Sequence, residues 1–228
     1  MRGIPRLIIA AAAAAVLLGG GYAILAARDA ARPAAQPPTA APTAGCRVTR
    51  GEPVQGTAPG TAAAGWRIRL GPGMELAPSA TAIAAARRGQ PLLVSGTVRA
   101  ADCTTPLQGA MVHVWQTNAD GEYGPGHGTG HLRCCYLQGT VTTDARGRYE
   151  IQTVMPGHYK GEDPPPPAHI HFDIRHPDAR GLMTELDFAG DPALDPGEAA
   201  AEVVPVTRIP GSHPPTLRAR FDIVLPSR

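Results

Sequence analysis

From Leu92 onward the chain is cut into short runs of strand-forming residues, each closed by Gly, Pro, Asp or Asn, and long helical periodicity is missing. The runs are Leu92 to Ala100, Met111 to Gln116, Gly139 to Thr143, Tyr149 to Met155, His169 to His176, Leu182 to Phe188, Val203 to Arg208 and Arg218 to Leu225. Segments of this length and punctuation predict an all-β fold, an antiparallel β-sandwich with long loops. Ser79 to Arg88 is the one short helix expected in the domain, with Ser79 as its cap. With 27 glycines and 25 prolines in 228 residues, further helices are disfavoured.

Side chains alternate between the faces of a strand. In the run from Ala168 to Ile174, that alternation puts His169, His171 and Asp173 on one face and Ala168, Ile170, Phe172 and Ile174 on the other. The apolar set packs inward, and the two imidazoles share the outer face. A phenol precedes this run in Pro156-Gly157-His158-Tyr159, and another, Tyr123, follows the run Met111 to Gln116, where Asp120-Gly121 marks a turn. Taken singly, a turn tyrosine is usually structural and a His-x-His strand suits a polar sheet face as well as a metal. Together they offer two phenols and two imidazoles. Imidazole suits zinc, copper, iron and nickel, whereas anionic oxygen favours a harder ion, so the mixture points toward ferric iron.

At these residues the chain resembles the intradiol ring-cleavage dioxygenases, including their secreted single-domain members. The matching segments are Val112 to Gln116 with Asp120 to Tyr123, Thr143 to Tyr149, Thr153 to Tyr159, Pro167 to Phe172, Thr184 to Phe188 and Gly190-Asp191-Pro192. The resemblance implies a β-sandwich carrying Fe(3+) on Tyr123, Tyr159, His169 and His171, with Tyr159 as the labile ligand. It further implies that a catechol-type substrate displaces Tyr159, and that O2 then cleaves the bond between the hydroxylated carbons to give a muconate-type diacid. Two positions depart from the family's pattern. Pro166 stands where the family usually has arginine, and Glu185 follows Thr184 where it often has glutamine. Proline offers neither charge nor donor. A carboxylate beside a catecholate would add negative charge where negative charge develops, unless it is protonated or serves as a base. Arg133, Arg148 and Arg175 are the candidates to replace the arginine. The alternative readings are a noncatalytic exported binding module and a metal enzyme of different reaction type, in which Glu185 is the catalytic base.

Other features bear on the site less directly. His127 and His131 flank a glycine-rich segment that reads as a solvated loop, a lid or a second metal clasp. His113 and Trp115 share one strand face, with Trp115 expected in the core. Asp144 and Gly147 read as hairpin residues. Asp163 to Pro167 reads as stiff extended chain between Tyr159 and His169.

The first 29 residues contain an uncharged run, Leu7 to Ala27, preceded by Arg2 and Arg6. This is a signal peptide or membrane anchor, and its length reaches the roughly 20 residues that span a bilayer, which favours an uncleaved apolar helix with the N-terminus inside. Residues 30–45 are an Ala/Pro-rich linker, and 46–228 are the sandwich domain, expected outside the cytoplasmic membrane. Cys46, Cys103, Cys134 and Cys135 suit such a compartment, with two disulfides expected among three connectivities. Adjacent Cys134 and Cys135 are expected to bridge to cysteines elsewhere, and relatives tend to carry cysteines near Cys46 and Cys103. A net charge of +2 without a basic stripe excludes a nucleic-acid partner, leaving small molecules. Oligomeric state is not readable.

Overall fold

The computed structural model describes residues 46–54, 62, 65–71, 88–124, 135–160, 162–195 and 202–228. A mainly antiparallel sheet and a mixed sheet face each other across an aliphatic core. The first contains β1 (Glu52–Pro53), β4 (Met111–Gln116), β5 (Leu137–Thr142), β7 (His169–Arg175), β8 (Leu182–Phe188) and β9 (Val203–Val204). Its spatial order is β1-β8-β7-β4-β5, with β9 running parallel to β8. The second contains β2 (Arg67–Arg69), β3 (Pro91–Arg99), β6 (Arg148–Val154), β10 (Val206–Arg208), β11 (Leu217–Arg220) and β12 (Ile223–Val224). Its order is β10-β11-β3-β6-β2, with β12 also on β3.

The expected all-β sandwich is therefore the fold. Parallel pairs occur where β2 joins β6 and where β11 and β12 join β3. The run Val203 to Arg208 divides at Pro205, which has no N–H to continue a ladder. Its two halves join different sheets. Arg218 to Leu225 divides at Phe221-Asp222, where the Asp222 carboxylate accepts from the Thr97 N–H at 2.9 Å and the Thr97 hydroxyl at 2.8 Å in place of a backbone ladder bond. The N-terminal apolar helix, the linker, most of the Ser79 to Arg88 helix, His127, His131 and Arg133 lie outside the described residues. No helix among the described residues is long and apolar enough to cross a membrane.

Period-two burial builds the core. Leu92, Val94 and Val98 of β3, Tyr149 and Ile151 of β6, Ile170, Phe172 and Ile174 of β7, and Leu182, Leu186 and Phe188 of β8 are all buried. Each fully buried aliphatic or phenyl side chain contributes about 1.5–3 kcal/mol. The Tyr149 hydroxyl crosses this core to donate to the Phe221 carbonyl at 2.6 Å, so burial of the phenol leaves no polar atom unmatched. Cys46 and Cys103 form a disulfide across 57 residues of sequence, which in chain-entropy terms is worth about 4 kcal/mol. That pairing corrects one expectation. With Cys46 joined to Cys103, no distant cysteine remains for both Cys134 and Cys135. Cys135 is itself disulfide-bonded.

Candidate metal centre

The outer face of the first sheet carries the site. Antiparallel register sets Trp115 opposite His171 and His171 opposite Glu185, forming a row across β4, β7 and β8. The Trp115 indole lies flat on the His171 ring, with centroids 4.7 Å apart and planes 10° apart. Trp115 is thus buried as expected, but against an imidazole on the outer face. His113 continues the stack at 5.4 Å, and its Nδ1 meets the Thr140 hydroxyl at 2.9 Å.

Each site histidine has its Nδ1 occupied. His169 Nδ1 lies 2.7 Å from the Pro167 carbonyl oxygen, and His171 Nδ1 lies 3.1 Å from Glu185 Oε1. Both partners are acceptors, so each Nδ1 must donate and each neutral ring presents a lone pair at Nε2. Those two nitrogens are 3.1 Å apart, and the Tyr123 hydroxyl lies 3.2 Å from His169 Nε2 and 2.8 Å from His171 Nε2. One phenolic proton faces two lone pairs. With neutral rings the triangle is therefore electron-rich and short of positive charge. Its edges are those of adjacent ligands around a single ion about 2.1 Å from each donor, the usual metal–imidazole distance. The residues fit a metal.

Electrostatics favour the same conclusion. Burial pushes the Tyr123 phenol above its ordinary range, and nearby Glu185 and Tyr159 push it further, so only a cation would hold it as phenolate. The His171 hydrogen bond holds the Glu185 carboxyl below its usual range against the opposing effect of desolvation. His169, His171 and Glu185 offer ligand atoms within 4.8 Å of one another. Glu185, however, sits at the Nδ1 edge of His171, while the shared donors meet at Nε2 on the other side of the ring.

Tyr159 reaches this place on the loop after β6, its ring centroid 5.4 Å from that of Tyr123. Backbone contacts join the two tyrosine loops. Asn118 Oδ1 accepts from the Asp120 and Glu122 N–H groups at 2.9 and 3.0 Å, while its carbonyl accepts from Gly157 N–H at 2.9 Å. The Thr117 hydroxyl donates to the Gly157 carbonyl at 2.7 Å. Gly121 has φ +79°, and a Cβ there would fall on the His158 carbonyl. Gly121→Ala is expected to separate the loops, lowering Tm by several degrees and weakening metal retention about tenfold or more. Thermal melts and chelator competition check this; unchanged values in both would show that the loops tolerate the separation.

A second connection was not legible in sequence. Asp191, nearly buried, accepts from Ala168 N–H at 3.2 Å and Ala193 N–H at 2.9 Å, and contacts His158 Nε2 at 2.9 Å. Desolvation opposes its ionisation, but these bonds outweigh it and hold the carboxyl low. One carboxylate thereby ties the neighbour of Tyr159 to the neighbour of His169. In the sequence, Asp191 and His158 are visible only as parts of matching segments.

Of the candidate replacement arginines, Arg148 and Arg175 lie among the described residues, and both are committed elsewhere. Arg148 Nε donates to Asp144 at 2.7 Å in the second sheet and its guanidinium lies over Trp66. Arg175 holds Asp173 through two nitrogens, each at 2.8 Å. It sits four residues along β7 from His171, about 13 Å at strand rise.

Comparison with known proteins agrees with the fold and gives the family. The dioxygenase family model, Dioxygenase_C, matches residues 77–225. Catechol 1,2-dioxygenase 1 of Acinetobacter lwoffii is 35% identical over 118 residues, covering 46% of this chain and 38% of that protein. Chlorocatechol 1,2-dioxygenase of Pseudomonas putida is 32% identical over 120 residues, covering 46% and 45%. The chain thus spans less than half the length of these relatives. The crystal structure of catechol 1,2-dioxygenase from Pseudomonas arvilla C-1 superposes with a TM-score of 0.55 at 22% identity, covering 80% of this chain and 62% of that one, a likeness of fold. With the family model matching well over half its length, the chain belongs to the intradiol ring-cleavage dioxygenases.

Proposed function

We propose that this protein is an exported, ferric-iron-dependent dioxygenase that cleaves a catechol-type ring with O2 between its hydroxylated carbons, yielding a muconate-type diacid. The observation that carries the reading is the triangle of Tyr123 Oη, His169 Nε2 and His171 Nε2, with edges of 2.8–3.2 Å. Tyr123, His169, His171 and Tyr159 would hold the ion. A phenolate-rich set favours the ferric state.

When bound, the ferric ion draws electron density from a chelated catecholate and makes a ring carbon reactive toward O2. The chain supplies position and proton handling. Pro167 O and Glu185 hold the Nδ1 protons, so that the Nε2 lone pairs of the neutral rings are aimed at one point. Trp115 prevents His171 from tipping out of plane. Tyr159 is carried by a loop, unlike the strand-borne histidines, so its phenol can turn aside for a chelating substrate and take up a substrate proton at Oη. The names of the relatives support catechols as the substrate class. The Cys46–Cys103 disulfide and the apolar N-terminal segment support a periplasmic or other extracytoplasmic location, with membrane attachment through that segment.

The test is the visible spectrum of ferric-loaded protein before and after anaerobic catechol, beside Tyr159→Phe, followed by O2 uptake. A tyrosinate-to-iron charge-transfer band that shifts with catechol and changes in the variant, with O2 consumed and a diacid formed, is the expected result. A protein that takes up no ferric iron would sink the dioxygenase reading and leave a binding module. A protein that binds iron and catechol but consumes no O2 would indicate a different reaction.

A further inference from the structure

Resting on that ferric reading, we infer that Glu185 is a positioning residue for His171, which fixes the Nδ1–H tautomer and makes His171 the stronger of the two imidazole donors, biasing the site toward ferric over ferrous iron. The register carries the argument first. Glu185 is the direct antiparallel partner of His171 on the next strand, so the sheet itself delivers its carboxylate to the ring. Oε1 then lies 3.1 Å from Nδ1.

The two histidines are consequently unequal. His169 donates to a neutral backbone carbonyl, whereas His171 donates to a carboxylate. A hydrogen bond to an ionised acceptor is roughly twice as strong as a neutral one. It withdraws the Nδ1 proton further and enriches Nε2, which raises ligand basicity. A more basic donor stabilises the more highly charged ion. Trp115, stacked 4.7 Å from the same ring, restrains it face-on while Glu185 restrains it edge-on. The departure from the family's usual glutamine therefore acts through the ligand. The Glu185 charge is spent on an imidazole N–H, which reduces its opposition to negative charge growing on a bound ring.

The experiment compares the full-length wild type with Glu185→Gln and Glu185→Ala, each checked by thermal melt. Half-exposed Glu185 has little folding role, so the three should melt alike. In apo protein, 15N spectra should show His171 as the Nδ1–H tautomer in wild type, weakened in Glu185→Gln and lost as a preference in Glu185→Ala. On loading, chelator competition should show ferric affinity about 10- to 100-fold lower in Glu185→Ala, with Glu185→Gln between, and a smaller change for ferrous iron. A tenfold difference between the two oxidation states corresponds to a potential about 59 mV higher. Equal ferric affinities and potentials across the three proteins, or an Nε2–H tautomer in wild type, would overturn the inference. If wild type takes up no iron, the ferric reading and the redox half of this inference both fall, while the tautomer spectra of the same apo samples still decide the positioning half.

Discussion

His169→Ala is expected to abolish ring cleavage and to weaken iron retention by more than about 100-fold, while leaving the melting temperature of the apo protein within a few degrees of wild type. His169 Nε2 is the vertex where the 3.2 Å edge to Tyr123 and the 3.1 Å edge to His171 meet, so its loss leaves two close donors and an open side. Losing even an outer-shell partner of a ligand typically costs 10–100-fold in metal affinity, and losing the ligand should cost more. The imidazole faces out of the sheet rather than into the core, so little packing goes with it. A useful contrast comes from linkage, since a ligand at about 100 times its Kd stabilises the native state by about 2.7 kcal/mol. Added ferric iron should therefore raise the wild-type Tm and leave that of His169→Ala unchanged. Retention of the charge-transfer band and of O2 uptake in the variant would remove His169 from the ligand set.

Charge at the site follows a consistent pattern. Pro166 stands where the resemblance implies an arginine, and Arg148 and Arg175 are held by Asp144 and Asp173. Glu185 meanwhile is bound to the His171 N–H. On the proposed ferric reading, the Glu185 charge reaches the centre through the His171 imidazole, which would favour keeping iron in its oxidised state.

What the sequence made legible was whatever repeats at a local period. Alternation in Ala168 to Ile174 correctly separates the faces of β7, and the strands with a sandwich-core pattern begin and end close to their expected bounds. Strands of two or three residues, such as Glu52–Pro53 and Arg67–Arg69, carry too few positions to show a period and exist because a neighbouring edge pairs with them. The same limit applies to the site. The two histidines share a face by local geometry, but the row of Trp115, His171 and Glu185 depends on the register of three strands. Register is set by the whole sheet. Asp191 is harder still, because its partners His158 and Ala168 are brought together only when two loops close over a strand end.

Phe172→Ala is expected to produce the largest stability loss of any single change near the site. Phe172 is fully buried on the inner face of β7, and its ring meets Tyr149 edge-on at 6.1 Å and Phe221 edge-on at 5.1 Å. The chain has 4% aromatic residues, so this cluster is an uncommon concentration of large rings in an aliphatic core. Truncation removes the burial and leaves a cavity that stiff β-branched neighbours fill poorly, a loss of about 3–5 kcal/mol. Edge-on pairs add about 0.5–1.5 kcal/mol each beyond burial. Against a typical domain stability of about 5–15 kcal/mol, that is a large fraction. At about 2–4 °C per kcal/mol for a domain of this size, the melting temperature should fall by roughly 10 °C or more. The consequence reaches the metal centre because Phe172 lies between His171 and Asp173 on one strand. A loosened β7 lets His171 drift from Trp115 and Glu185, so iron affinity should fall with stability even though no ligand is changed. Phe172→Leu, which refills much of the volume, should recover most of both. A Tm shift below about 2 °C in Phe172→Ala, or iron affinity that stays constant while stability falls, would show that the outer face of β7 is held independently of the core beneath it.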